Sequence, residues 1–245
     1  MSPKGMLKPN GILDMTSLRE QVYRYIRGEI TSGKRLPGSC INLKDISSQL
    51  GISTTPLRDA IIRLECEGFV TILPRRGILV NKLTLKDIQD LVEICGMIES
   101  SVIISTFDKI SPSHIKEMES LNVEMRSAIN QDNFDRYYKL NIAFHGVFLD
   151  LSENRTLQQI VMPIKQRLYD FPKRAYIKNW ELINCDEHDQ LIELIKKGEP
   201  EAAASLWKDK HWSFTYHEKF IRKFYSNANA KIRKELAVSQ KRANV

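Results

Sequence analysis

Eight residues, Gly51-Ile52-Ser53-Thr54-Thr55-Pro56-Leu57-Arg58, constrain the fold of this 245-residue chain more than any others. A glycine permits the sharp turn that ends one helix, and a hydroxyl residue two positions later can cap the next. Before the turn, Asn42 with Asp45 three residues on marks a helix start, and Ile46 and Leu50 give that helix an apolar face. After it, Ile61, Ile62, Leu64 and Phe69 are expected to bury the second helix against the first, with Ser53 accepting from its free amides. Thr54, Thr55 and Arg58 then face outward at the N-terminal end, the part that a helix-turn-helix inserts into the major groove of DNA. Arg58 there could pair with a guanine edge or grip a phosphate.

The flanking residues complete a module. Ser17-Leu18-Arg19-Glu20 reads as a capping box, and Val22, Ile26 and Ile30 recur every four residues until Gly33, which supplies a third helix. Gly68 to Leu73 and Ile78 to Val80 read as two short strands around the basic turn Pro74-Arg75-Arg76-Gly77. Such a wing would carry Arg75 and Arg76 to backbone phosphates or the minor groove, with Gly77 permitting the bend.

Charge agrees with this placement. Residues 16–83 hold 11 Lys or Arg against 6 Asp or Glu, whereas residues 84–225 hold 19 against 22. A basic module beside a mildly acidic one points to phosphate binding by the first, with affinity that falls steeply with salt. With 42% hydrophobic residues, the remainder is long enough for a second domain with its own core. The first dozen residues lack an apolar run, and no stretch reaches the ~18 apolar residues of a membrane span, so neither export nor insertion is expected. Cys40, Cys66, Cys95 and Cys185 are scattered, which suits free thiols in a reducing cytoplasm. No Gly-rich phosphate loop, nucleophile elbow or catalytic carboxylate pair occurs, and no enzymatic activity is expected.

From Thr84 onward the periodicity is helical. Thr84 to Asp87 caps a segment with Ile88, Leu91, Val92, Cys95, Ile98, Val102 and Ile103 on one face, and Ser111-Pro112 opens another. Amphipathic stretches continue at about 134–150, 154–171, 181–197 and 200–224, which predicts an antiparallel all-helical bundle. The fold class is therefore mostly α: a winged helix-turn-helix over 16–83 and a helical domain over 84–225. Tails at 1–15 and 226–245 are read as flexible, the second polar and basic.

Three of the five histidines share a setting. His145 follows Asn141 by one helical turn, His188 precedes Leu191, Ile192 and Ile195, and His211 lies among Ala204, Trp207 and Phe214 at helical spacing. All three should point into the bundle. Their spacing leaves two readings open, hydrogen-bonded core histidines or a transition-metal site. His114 and His217 sit beside charged residues and are expected to face solvent. Trp180, Trp207, Trp212, Tyr169, Phe171 and Tyr176 could line a cavity or fill the core.

Residues 17–83 resemble the winged-helix domain of the GntR superfamily of bacterial transcription regulators. The likeness is carried by Leu36-Pro37-Gly38, Leu43 to Ile46, Gly51-Ile52-Ser53, Pro56 to Ala60, Leu64-Glu65 with Gly68, and Arg76-Gly77. By position, the resemblance implies operator contacts from Lys44, Thr54, Thr55, Arg58 and the wing around Arg75 to Gly77. Thr54 is a departure, because the family usually has a base-reading arginine there.

Residues 84–224 resemble the FCD ligand-binding domain of the FadR branch, through Glu93-Ile94, Glu99, Asn141 to His145, Asn154, Glu187-His188 and the Ala202 to Ala204 run leading to His211. The resemblance implies a divalent metal of zinc, nickel or manganese type on Asn141, His145, His188 and His211, and a carboxylate effector. Cys95 stands where many members carry a ligand-anchoring arginine, and Arg174 is the candidate replacement. The implied function is a metabolite-responsive repressor that binds a two-fold double-stranded operator as a homodimer. Two alternatives stand beside it, a metal-free regulator of a larger ligand such as an acyl thioester, and a metalloenzyme.

Overall fold

The computed structural model describes residues 17–170 and 177–225. The chain divides into two units, Met1–Lys82 and Leu83–Val245. The two tails expected to be flexible, together with Phe171, Arg174, Tyr176 and the side chain of Tyr169, lie outside the described residues.

The first unit holds helices α1 (Leu18–Thr31), α2 (Leu43–Leu50) and α3 (Thr54–Cys66) and strands β1 (Cys40–Ile41), β2 (Val70–Leu73) and β3 (Gly77–Val80). Asn42 caps α2 by accepting from the Lys44 amide, and Gly51 ends that helix in the left-handed region at φ 65°. Ile26, Ile46, Leu57, Ile61, Leu64 and Phe69 form the core between the helices. Three expectations need correction. Ser53 is the N-cap of α3 but makes no side-chain capping bond, and Ile62 is 53% exposed instead of buried. The Ser17 hydroxyl accepts from the Glu20 amide, while the Glu20 carboxylate turns to Arg24 and Arg63 and leaves the capping box half made.

The wing is a three-stranded antiparallel sheet in the order β1-β3-β2, with Val70 opposite Val80 and Leu73 opposite Gly77. β1 pairs Cys40 with Leu79 and Ile41 with Ile78. At two residues it is too short to show a period of two, so the sequence displayed only the other pair of strands.

The second unit comprises α4 (Leu85–Thr106), α5 (Pro112–Asn130), α6 (Phe134–Leu149), α7 (Arg155–Asp170), α8 (Lys178–Lys197) and α9 (Pro200–Leu206), and then helical residues 214–225. Helix α5 packs on α6 and α8, and α4 on α7 and α9. Thr84 and Asp87 make a reciprocal capping box at the start of α4. Trp207, Phe144 and Phe148 are fully buried, and each contributes about 2 to 3 kcal/mol of transfer free energy.

The helix expected over 200–224 is interrupted. After α9 the backbone widens into a single π turn over Trp207–His211 and leaves helical geometry before 214. Such a turn inserts one residue into the repeat and rotates the side chains on its C-terminal side to a new face. Trp207, His211 and Trp212 consequently all face the interior.

A histidine centre, a cavity and a basic groove

The three interior histidines meet. His145 from α6, His188 from α8 and His211 from the π turn bring ring nitrogens within 4.8 Å of one another. His145 and His188 are fully buried and His211 is nearly so, and Asn141, one turn before His145, is 3% exposed. Aromatic faces fix two of the rings. Phe144 stacks on His188 with ring centres 4.0 Å apart, and Trp207 stacks on His211 at the same separation.

Hydrogen bonds at Nδ1 fix which nitrogen is protonated. His145 Nδ1 lies 2.6 Å from Glu99 Oε2, and His211 Nδ1 lies 2.9 Å from Glu187 Oε2. His188 Nδ1 is 3.3 Å from Asn122 Oδ1, whose amide nitrogen is committed as donor to the Cys185 carbonyl and Asp189. Each histidine therefore donates from Nδ1 and keeps a lone pair on Nε2. Nε2 of His145 and of His188 is buried without a hydrogen-bond partner. Two buried acceptors of this kind carry a desolvation cost of roughly 1 to 3 kcal/mol each unless something occupies the point they face.

Electrostatics keep the rings neutral. Burial drives the His145 imidazole down to about 3 against the pull of Glu99, and drives His188 well below its ordinary value. Burial also lowers His211, partly offset by Glu187. The carboxylates behind them behave oppositely. Burial opposes ionisation of Glu187, yet the hydrogen bond from His211 and the His217 ring nitrogen 3.3 Å away hold it at about 2. Glu99 is buried completely, yet His145 and Lys165 hold it well below the usual carboxylate range.

Glu99 is a four-donor hub. Its Oε2 accepts from His145 Nδ1, from Trp207 Nε1 at 2.7 Å and from Trp212 Nε1 at 2.9 Å, while Oε1 takes the ammonium of Lys165 at 2.6 Å. Lys165 is itself 1% exposed and its ammonium lies 5.5 Å from the Trp212 ring centre. Sequence reasoning missed Asn122, Lys165 and the roles of Glu99 and Glu187, since charged residues on amphipathic helices ordinarily face water. His217 was expected in solvent and is 3% exposed, with its Nδ1 accepting from Trp180 Nε1 at 3.1 Å. His114 caps α5 through Ser111.

A cavity of about 100 Å³ adjoins the centre, and Asn141 and His211 stand in its wall. Trp180 and Trp212 line it, together with Tyr137, Phe134, Glu181 and His217. Trp207 instead packs in the core. Cys95 is fully buried on α4 and is absent from this wall, and burial pushes its thiol up. At Gly96 an added Cβ would come within 3.1 Å of the Trp212 Cβ, so this glycine allows α4 to approach the segment after the π turn.

In the first unit, Lys44, Thr54, Thr55, Arg58, Arg75 and Arg76 are all exposed. Arg58, at the start of α3, shares a groove with Arg75, Arg76 and Gly77 of the wing. Arg75 adopts φ 62° and Gly77 φ 101°, which turns the basic tip between β2 and β3.

The FCD domain family matches residues 90–210, and the gntR family of bacterial regulatory proteins matches residues 18–80. The chain belongs to the GntR family and carries an FCD domain. It is 26% identical over 185 residues to the uncharacterized HTH-type transcriptional regulator YdhC of Bacillus subtilis, covering 75% of this chain and 83% of that protein. It is 27% identical over 136 residues to the HTH-type transcriptional repressor RspR of Escherichia coli, covering 56% of this chain and 60% of RspR. Among solved structures, E. coli McbR/YncC aligns with a TM-score of 0.63 at 16% identity, over 91% of this chain and 100% of that one, which establishes the shared fold. The chain is thus a DNA-binding transcriptional regulator and not an enzyme. Among the described residues no helix is long and apolar enough to cross a membrane.

Proposed function

We propose that this regulator is a cytoplasmic repressor that binds a two-fold operator as a homodimer and releases it when a small organic acid enters the helical domain. The observation that carries the reading is the convergence of three neutral imidazoles with ring nitrogens within 4.8 Å of one another, the Nε2 atoms of His145 and His188 being buried without a hydrogen-bond partner. Three imidazole nitrogens with the Asn141 amide oxygen form a donor set that suits a divalent ion of zinc, nickel or manganese type. When bound, such an ion supplies a positive point for ligand oxygens. His145, His188, His211 and Asn141 would hold it, and Glu99, Asn122 and Glu187 orient the rings from behind.

The adjoining cavity supports a small effector. At about 100 Å³ its size favours a compact acid over a long-chain acyl thioester. Lys44, Thr54, Thr55, Arg58 and the Arg75 to Gly77 wing tip are the DNA-contacting residues in this reading, with Ser53 opening the helix. Allostery results if the effector binds better to the form whose reading helices are misplaced for successive grooves.

Selection of bound sequences from random DNA tests this reading. Two-fold sites with half-sites about one helical turn apart are expected. A panel of mono-, di- and hydroxycarboxylic acids should then lower affinity for the selected site only with zinc-loaded protein. Asymmetric single sites, or equal responses from zinc-loaded and chelator-stripped protein, would contradict it.

A further inference from the structure

The cavity beside the histidine centre has an acidic group in its wall. Glu181, in the first turn of α8, is 8% exposed, and its Oε2 accepts from the Tyr137 hydroxyl and from Asn184 Nδ2. Both bonds fall on one oxygen. Among the described lining residues there is no lysine or arginine. The rest of the wall is largely aromatic, with Trp180, Tyr137, Phe134 and Trp212 in it.

In its ionised form a carboxyl buried in an aromatic wall repels an acidic ligand and attracts a cation, and a bound cation in turn favours that form. An ammonium group there gains a charge-assisted hydrogen bond from the carboxylate and the quadrupole attraction of the ring faces. It also relieves the cost of burying the acid, whose hydrogen bonds from Tyr137 and Asn184 come from neutral donors. His211 and Asn141, in the same wall, have the other character, since those residues belong to the proposed metal site.

We propose that the effector carries a protonated amine, recognised by Glu181 and the surrounding aromatic rings. The ligand is then a small zwitterion, with its acid end toward His211 and Asn141 and its ammonium at Glu181. The acid end rests on the function proposed for the metal site, whereas the amine end rests on the Glu181 wall alone.

Binding of three matched probes, 5-aminopentanoate, pentylamine and pentanoate, separates the two ideas. Calorimetry at neutral pH uses zinc-loaded and chelator-stripped full-length protein, each as wild type and as Glu181→Gln, a near-isosteric change that keeps an acceptor for Tyr137. The expected order on zinc-loaded wild type is 5-aminopentanoate, then pentylamine, then pentanoate. Pentylamine binding should survive metal removal and fall by about tenfold or more in Glu181→Gln, the loss of one hydrogen bond to a charged group. Pentanoate binding as tight as pentylamine, no pentylamine binding at millimolar concentration, or an unchanged affinity in Glu181→Gln would overturn the proposal. Retained pentylamine binding with no zinc effect on 5-aminopentanoate would instead sink the metal-assisted reading and leave the amine site standing.

Discussion

His145 donates its Nδ1 proton to Glu99 Oε2 at 2.6 Å, at a place where neither side chain is exposed to solvent. That bond orients the ring, whose centre lies 5.5 Å from that of His188 and 5.3 Å from that of His211. The same carboxylate neutralises Lys165. Breaking one partner of a buried pair leaves an uncompensated charge, so Glu99→Gln should cost about 3 to 5 kcal/mol in urea unfolding. Adding Lys165→Met removes the stranded ammonium, and the double variant should be more stable than Glu99→Gln alone. Equal or additive losses would show that the two side chains act independently.

Gly96 offers a steric test of the same region. Its Cβ would meet Trp212 Cβ at 3.1 Å and the Lys208 carbonyl at 3.5 Å. Gly96→Ala should therefore cost about 1 to 3 kcal/mol, by forcing α4 and the segment after the π turn apart. Gly28, exposed on α1 with nothing within 4 Å of its added Cβ, is the control. Gly28→Ala should stabilise by about 0.4 to 1 kcal/mol, because alanine lowers the entropy of the unfolded chain.

Glu181 predicts a pH dependence. Burial pushes its carboxyl up to about 7, partly offset by Tyr137 of α6, Asn184 of α8 and His217 of helical residues 214–225. An unfolded glutamate titrates near ~4.3. Between those values the folded chain holds a proton that the unfolded chain has lost, so stability falls as pH rises through this window. The contribution is fully present below about 4.3 and gone above about 7. Glu181→Gln should flatten that part of the stability profile measured by thermal melting. An unchanged slope would mean that Glu181 does not titrate there.

Arg58 stands exposed at the head of α3, in the groove it shares with the wing. Arg58→Ala should weaken binding to selected DNA by about 1 to 3 kcal/mol at fixed salt. Wild-type affinity, measured by fluorescence anisotropy, would remove Arg58 from the reading surface.

The fold was largely legible because local chemistry agrees with it at many points. Asn42, Gly51 and Thr84 end or begin helices as their side chains predict, and the apolar repeats of α4 and α5 lie on single faces. The interruption at Trp207–His211 was not legible, since a π turn keeps the same apolar residues and changes only the backbone spacing. The convergence of His145, His188 and His211 was legible from spacing together with family likeness. The groups behind them were not. Lys165 and Asn122 carry no local signal, because what makes them interior is the partner each meets from a distant helix.

Whether the three Nε2 atoms hold a metal decides the proposed function most directly. Native mass spectrometry of untagged protein, purified without chelator, gives the ion count per chain, with His188→Ala alongside. One divalent ion per wild-type chain and none in the variant is the expected result. Wild-type protein that carries no ion, and takes none up from added zinc, nickel or manganese, would contradict it and make the three histidines a neutral core.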